Sequence, residues 1–218
     1  MVELYEAMSS LRAVRRLKPD SIPDDVLERV LQAAAWAPTG GNVQPFRIVV
    51  VKDRVKLAEI KALYHEEWHS YTAAMRSGLD KMQEPAADAS RKMLKAGDYL
   101  SDHMAEVPAL LVFCFNPDHM AITDADLDRP SVVGGGSVYT AVQNVMLACR
   151  AEGLGCVLTT LLCYREDEIK QLLDIPPEWG TCAHIPIGYP VLRGHGPITR
   201  RPISKLAFLD SWGESVDL

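Results

Sequence analysis

The sequence predicts an α+β fold, one mixed sheet with helices around it, in a single domain over residues 1–218. Three observations predict it. Strand-like and helix-like segments alternate, but without the regular βαβ series of a parallel sheet. Residues 109–115, ALLVFCF, form a near-continuous apolar run, which suits the central strand of a sheet covered on both faces. Residues 137–153, SVYTAVQNVMLACRAEG, are apolar around most of a helix, so that helix lies in a deep core or at a subunit interface.

Each element has a local reason. Residues 3–9 place Leu4, Ala7 and Met8 on one side of a short helix. In the second helix, from Ser21 to Pro38, Pro23, Asp24 and Asp25 suit the start. Val26, Val30, Leu31 and Ala34 recur at helical spacing, and Pro38 with Gly40 and Gly41 ends it. RIVVVKD (47–53) is rich in β-branched residues and reads as a strand. Asp53 is placed to cap the next helix, through Leu57, Ile60 and Leu63 towards Tyr71. Residues 72–106 are helical in pattern and polar, with breaks expected near Gly78, Pro85 and Gly97. They read as an insertion, mobile relative to the core, within a helical lid insertion at about 64–106. CVLTTL (156–161) reads as a strand, REDEIKQLLD (165–174) as a helix and CAHIPIGYP (182–190) as a strand. From Val191 the pattern dissolves into a tail rich in Gly, Pro and Arg. The tail and the apolar helix together suggest a dimer.

Composition narrows the function. Hydrophobic residues are 48% and charged residues 24%, ordinary values for a chain that buries a core. The net charge of −6 offers no basic field, which disfavours nucleic acid as a partner. No stretch reaches the ~18 apolar residues of a membrane span, and the N-terminal segment lacks the apolar run of a signal peptide. Five cysteines without C-x-x-C spacing fit reduced thiols and a cytoplasmic location.

Two patterns compete for the chemistry. His65-Glu66-x-x-His69 spells the helical motif of a zinc peptidase, with both imidazoles on one face and a carboxylate to polarise water. A catalytic zinc needs a third protein ligand. The extended motif would place Gly and His where Thr72 and Met75 stand, and Glu84 lies across the Gly78 break. The simpler reading is a solvated face with Trp68 turned inward. The second pattern is spread over LRAVRRLKPDSIP (11–23), APTGGNVQPF (37–46), GLGCVLTTL (153–161) and ITRRP (198–202). Arginine forks suit a phosphate. Glycines let backbone approach a flat ring, and Thr39, Asn42, Gln44, Thr159 and Thr160 offer a polar rim. An anionic aromatic cofactor fits this set. GGGS (134–137) is not a dinucleotide fingerprint, and there is no P-loop.

These same segments resemble the signatures of the FMN-dependent nitroreductase superfamily. Arg12-Ala13-Val14-Arg15-Arg16-Leu17, followed by Ile22-Pro23, is similar to its N-terminal signature. Ala34-Ala35-Trp36-Ala37-Pro38-Thr39-Gly40-Gly41-Asn42-Val43-Gln44-Pro45-Phe46 is similar to the next. Ala141 to Gly155, Leu158-Thr159-Thr160, Ile185 to Pro190 and Arg200-Arg201-Pro202 match the later motifs, so nearly the whole chain is covered. The chain departs at Ala13, where the signature has Ser, at Leu11, where Arg is common, and at Leu17, where an aromatic is usual.

The resemblance implies a nitroreductase-like fold: a central mixed, mostly antiparallel sheet flanked by helices, in an intertwined homodimer with FMN at the interface. It implies that Arg12, Ala13 (by its backbone), Arg15 and either Arg200 or Arg201 hold the phosphate and ribityl chain. Pro38, Thr39, Gly40 and Asn42 would line the flavin of the partner subunit. Leu158, Thr159 and Thr160 would run along the ring system, with Thr160 donating to flavin N5. It further implies hydride transfer from NADH or NADPH through the flavin to a small aromatic, quinone or nitro-type acceptor in a ping-pong cycle. Residues 64–106 would be the lid, with Trp68, Tyr71 and His103 as substrate contacts, and no side chain is singled out as acid or base. Some superfamily members instead fragment flavin or remove halogen from aromatics. Two other readings remain at this stage, an FMN store without turnover and the zinc hydrolase.

Overall fold

The structure, a computed structural model, describes residues 2–216. Ten regular elements follow in chain order: α1 (Leu4–Ser10), α2 (Asp24–Ala35), β1 (Phe46–Val51), α3 (Arg54–Gly78), α4 (Ala86–His103), β2 (Ala109–Phe115), α5 (Gly136–Ala151), β3 (Gly155–Cys156), α6 (Glu166–Leu173) and β4 (Gly180–Gly188). The strands form one sheet in the order β1-β2-β4-β3. Each pairing among the described residues is antiparallel: Val49 faces Val112, Val112 faces His184, and Gly155 faces Gly188.

The apolar run of β2 is central, as its sequence predicts, and Ala109 to Cys114 are all buried. Alternation along the strands divides the core in two. Leu111, Phe113, Ile185 and Ile187 pack with Val30 and Ala34 of α2 and Val138, Ala141, Val142 and Val145 of α5. Leu110 and Val112 belong to the opposite cluster, with Leu57, Ile60, Tyr64 and Trp68 of α3, Leu94 and Leu100 of α4, and Ile169 of α6. Residues 64–104 thus contribute side chains to the same core as the sheet.

The predicted N-terminal signals operate. Asp24 and Asp25 occupy the first turn of α2. The Asp53 carboxylate accepts from Val55 N at 2.8 Å and Lys56 N at 2.9 Å, so α3 starts where the sequence places its cap. Two expectations need correction and a third is narrowed. The helix does not break at Gly97; α4 runs through it, because the missing side chain there admits the Trp68 indole. The predicted strand 156–161 pairs only at Gly155–Cys156, then touches β4 again at Thr159 opposite His184. Thr160, with φ −122° and ψ 1°, leaves the extended region and leads into a 3-10 turn over Leu161–Arg165. For α5, the single chain sets aside the deep-core alternative and leaves the subunit-interface alternative as an expectation. Val138, Ala141, Val142, Val145 and Cys149 face the core, while Tyr139 and Gln143 are exposed.

Candidate functional site

The site begins where the arginine-rich segment meets the sheet edge. Val14 N donates to Cys156 O at 2.8 Å and Lys18 N to Tyr189 O at 2.8 Å, so residues 12–18 lie along β3 and the end of β4. Gly155 permits this approach. A Cβ there would stand 2.6 Å from Val14 Cγ1 and 2.8 Å from Leu17 Cδ2. The tail returns to the same place: Arg12 Nε donates to Gly194 O at 2.8 Å, and Gly196 N donates to Ser10 O at 3.0 Å. One nitrogen of Arg12 is therefore spent on holding the tail, and its terminal nitrogens remain for a ligand.

Two hollows open along this segment. The first, about 350 Å³, is lined by Arg12, Ala13, Arg15 and Arg200, with Gln143 and Met146 of α5. The second, about 540 Å³, is lined by Arg15, Thr159, Thr160 and the aromatic rings of Tyr64, Trp68, Tyr71 and Tyr164. Arg15, Val157 and Leu158 line both, so the two are one groove, cationic at one end and aromatic at the other. Neither is lined by a carboxylate, although the chain carries a net charge of −6. Volumes of this order suit a small ligand or cofactor.

The break in β3 matters here. Because the chain leaves the ladder between Cys156 and Thr159, Leu158 and Thr160 stand at the groove instead of in the sheet. Tyr64 is almost fully buried at the groove wall. Burial pushes its phenol upward, and the Thr159 hydroxyl and the Arg15 charge oppose that shift. Cys163 also lines the aromatic end; burial and the neighbouring Glu166 carboxylate push its thiol upward, so it is held as a thiol.

The structure thus brings together Arg12, Ala13, Arg15, Leu158, Thr159, Thr160, Arg200, Trp68 and Tyr71. It separates the arginine pair: Arg200 lines the groove and Arg201 does not. His103 is not at the groove. Its ring stacks on Tyr99, with centroids 4.0 Å apart and planes 9° apart, and Arg16 lies 4.9 Å over the Tyr99 ring. Tyr64 and Tyr164 line the groove without having been singled out in the sequence. Tyr64 carries a signal in the sequence: 64, 68 and 71 share one helical face, so three aromatics at that spacing mark a wall.

Pro38, Thr39, Gly40 and Asn42 lie elsewhere in the chain. Their loop is pinned to α5, with Gly40 N donating to Ser137 Oγ at 3.0 Å and the Thr140 hydroxyl to Pro38 O at 3.2 Å. Gly41, Asn42 and Gln44 all have φ between 50° and 57°, the left-handed region, which non-glycine residues occupy at a cost. Pro38 borders a separate hollow of about 720 Å³, which meets the groove only at Gln143, and the other three line neither. The four do not reach the arginines of their own chain's groove.

The histidine pair makes a different arrangement from a metal site. His65 Nδ1 lies 3.0 Å from Ser101 Oγ and 3.5 Å from Asp102 Oδ1, both on α4. Glu66 pairs with Arg165 at 2.7 Å. Among the described residues, no group of three or more His, Cys, Asp or Glu side chains is placed to hold a metal ion. Nor is any described helix long and apolar enough to cross a membrane.

Comparison with known proteins bears on the family and the fold. Residues 9–189 match the sequence profile described as the Nitroreductase family. An NADH dehydrogenase from Thermus thermophilus is 25% identical over 89% of this chain and 90% of its own. An iodotyrosine deiodinase from Thermotoga neapolitana is 28% identical over 87% of this chain and 90% of its own. Among solved structures, the NADPH:FMN oxidoreductase from Vibrio harveyi complexed with NAD+ superposes with a TM-score of 0.68. It covers 97% of this chain and 78% of its own, at 18% identity, which speaks to the fold.

Proposed function

The chain belongs to the nitroreductase family, and from that premise we propose that it is an FMN-dependent oxidoreductase taking electrons from NADH or NADPH to a small, flat acceptor. The observation that carries the reading is the single groove with three guanidinium groups at one end, four aromatic rings at the other and no carboxylate between. A phosphate monoester joined to a flat ring system has that same division of charge and shape. FMN, when bound, supplies the carrier of two electrons and a proton, chemistry that no side chain of the groove can supply.

The residues divide the remaining work. Arg12, Arg15 and Arg200 hold the phosphate with charge-assisted bonds, and the Ala13 backbone adds a donor where no hydroxyl is available. Leu158, Thr159 and Thr160 would line the ring system, with Thr160 offering it a hydrogen-bond donor. Tyr64, Trp68 and Tyr71 of α3 would keep water from the ring system and contact an acceptor. In this reading residues 64–106 act as the lid of one domain spanning residues 1–218.

The reading includes a homodimer. Pro38, Thr39, Gly40 and Asn42 would serve the groove of a second copy. Two observations support this: the loop is hydrogen-bonded to α5 away from its own arginines, and Trp36 beside it is 73% exposed. The test is direct. The purified protein should be yellow, dimeric and able to oxidise NADH or NADPH with a quinone or a nitroarene. A colourless protein that FMN cannot reconstitute would refute the reading, and bound flavin without turnover would make the protein a flavin store.

A further inference from the structure

Trp68 is the largest side chain at the aromatic end of the groove, yet it is only 5% exposed. Its indole lies directly on the backbone of α4. A Cβ at Gly97 would stand 2.0 Å from Trp68 Cζ2, 2.2 Å from Cη2 and 2.8 Å from Cε2, so no other residue fits there with the ring in place. A closed circuit of bonds fixes the ring's orientation. Trp68 Nε1 donates to Asp98 Oδ1 at 2.7 Å. Asp98 is paired with Arg76, whose Nε lies 2.9 Å from Thr72 Oγ1, and the Thr72 hydroxyl donates to Trp68 O at 2.7 Å. Thr72 is fully buried, while the side chains of Arg76 and Asp98 are 33% and 35% exposed, so the circuit runs from the core to the surface.

Neither Gly97 nor Asp98 lines the groove. We propose that these two α4 residues set the depth of the acceptor pocket, Gly97 as a specificity-determining residue and Asp98 as a positioning residue, by holding the six-membered ring of Trp68 back against α4. This rests on the reading of the groove as the acceptor site. A side chain at 97 would push the indole off α4, and the open volume beside it is the pocket bounded by Tyr71, whose ring centroid is 6.4 Å from that of Trp68. The pocket held open in this way takes acceptors of more than one fused ring, and a displaced indole restricts it to single rings.

The experiment compares turnover of a naphthoquinone with that of a benzoquinone by the holoenzyme. In Gly97→Ala the ratio of kcat/KM for the larger over the smaller acceptor should fall by about tenfold, the scale on which a few atoms of pocket volume discriminate. Adding Trp68→Phe removes the atoms that meet the new Cβ, and the ratio should recover. An unchanged ratio in Gly97→Ala, or a fall that Trp68→Phe does not relieve, would overturn the proposal. Asp98→Ala is the second variant, for use if Gly97→Ala does not fold. Releasing the indole should lower the same ratio and raise acrylamide quenching of the emission that Trp68→Phe abolishes; if neither moves, the proposal fails. That quenching can also be read in flavin-free protein. Loss of FMN binding in the native chain would therefore sink the functional reading while leaving the packing of Trp68 on Gly97 open to measurement.

Discussion

His184 should give the fold a specific weakness in mild acid. It sits in β4 opposite Val112 of β2, is 0% exposed, and neither ring nitrogen has a hydrogen-bond partner. Burial pushes its imidazole down from 6.5 to about 4. The folded protein therefore refuses a proton that the unfolded chain accepts between those values. His184 leaves stability untouched above pH 6.5, and unfolding becomes progressively easier as pH falls from there to about 4. The gap is worth roughly 3 kcal/mol across the window, a large share of the stability of a domain. Half-buried His195, also pulled down by burial, should add a lesser slope of the same sign. Asp98 and Asp124, held below the usual carboxylate range by Arg76 and by the backbone N–H of Val132 respectively, act at lower pH. The assay is urea unfolding of wild type and His184→Leu at pH 7.5, 6.0, 5.0 and 4.5. The variant should lose most of the slope, and at pH 7.5 it should be about as stable as wild type, because removing unpaired polar atoms offsets the altered packing. An unchanged slope, or a loss of several kcal/mol at pH 7.5, would refute the reasoning.

Arg15→Ala should weaken FMN binding by roughly 10- to 100-fold, the value of a charge-assisted bond, and Arg201→Ala should leave it unaltered; flavin fluorescence titration reads both. Gly155→Ala should cost about 1–3 kcal/mol in thermal or urea unfolding through its clash with Val14 and Leu17, and should weaken FMN binding by shifting the arginine segment. Chelation by EDTA should leave quinone turnover unchanged, since His65 is turned towards Ser101 and Asp102.

What was legible in the sequence depended on the range over which its cause acts. The cap at Asp53 and the acidic start of α2 are local, and they hold where the sequence puts them. The burial of β2 follows from its own seven residues. The candidate arginines and Thr159-Thr160 were readable through motif resemblance, and the fold brings Arg12, Arg15 and Arg200 with the two threonines to one groove, leaving Arg201 outside it. The failures are contacts between distant segments. Gly97 reads as a helix breaker because propensity is all that its neighbours reveal, whereas its role is set by a tryptophan 29 positions earlier. CVLTTL has the composition of a strand, but its partner β4 holds it only at Cys156 and Thr159. His103 is the exception, a local contact: it is drawn to Tyr99 and away from the groove by a stack within α4.

The stretch YHEEWHSY shows how these ranges compete on one helix. His65 and His69 share a face, with ring centroids 4.3 Å apart, and so reproduce the spacing of a metal motif. A metal site needs further ligands brought from elsewhere, and what α4 brings to His65 is a serine hydroxyl and one aspartate. Tyr64, Trp68 and Tyr71 sit on the adjoining face at the same helical period, and there the distant contributions converge: Thr159, Thr160 and Arg15 from the sheet edge, Gly97 and Asp98 from α4. Helical spacing gives every face of α3 an equal claim to function. The residues that arrive opposite each face decide between them, and they arrive opposite the aromatics.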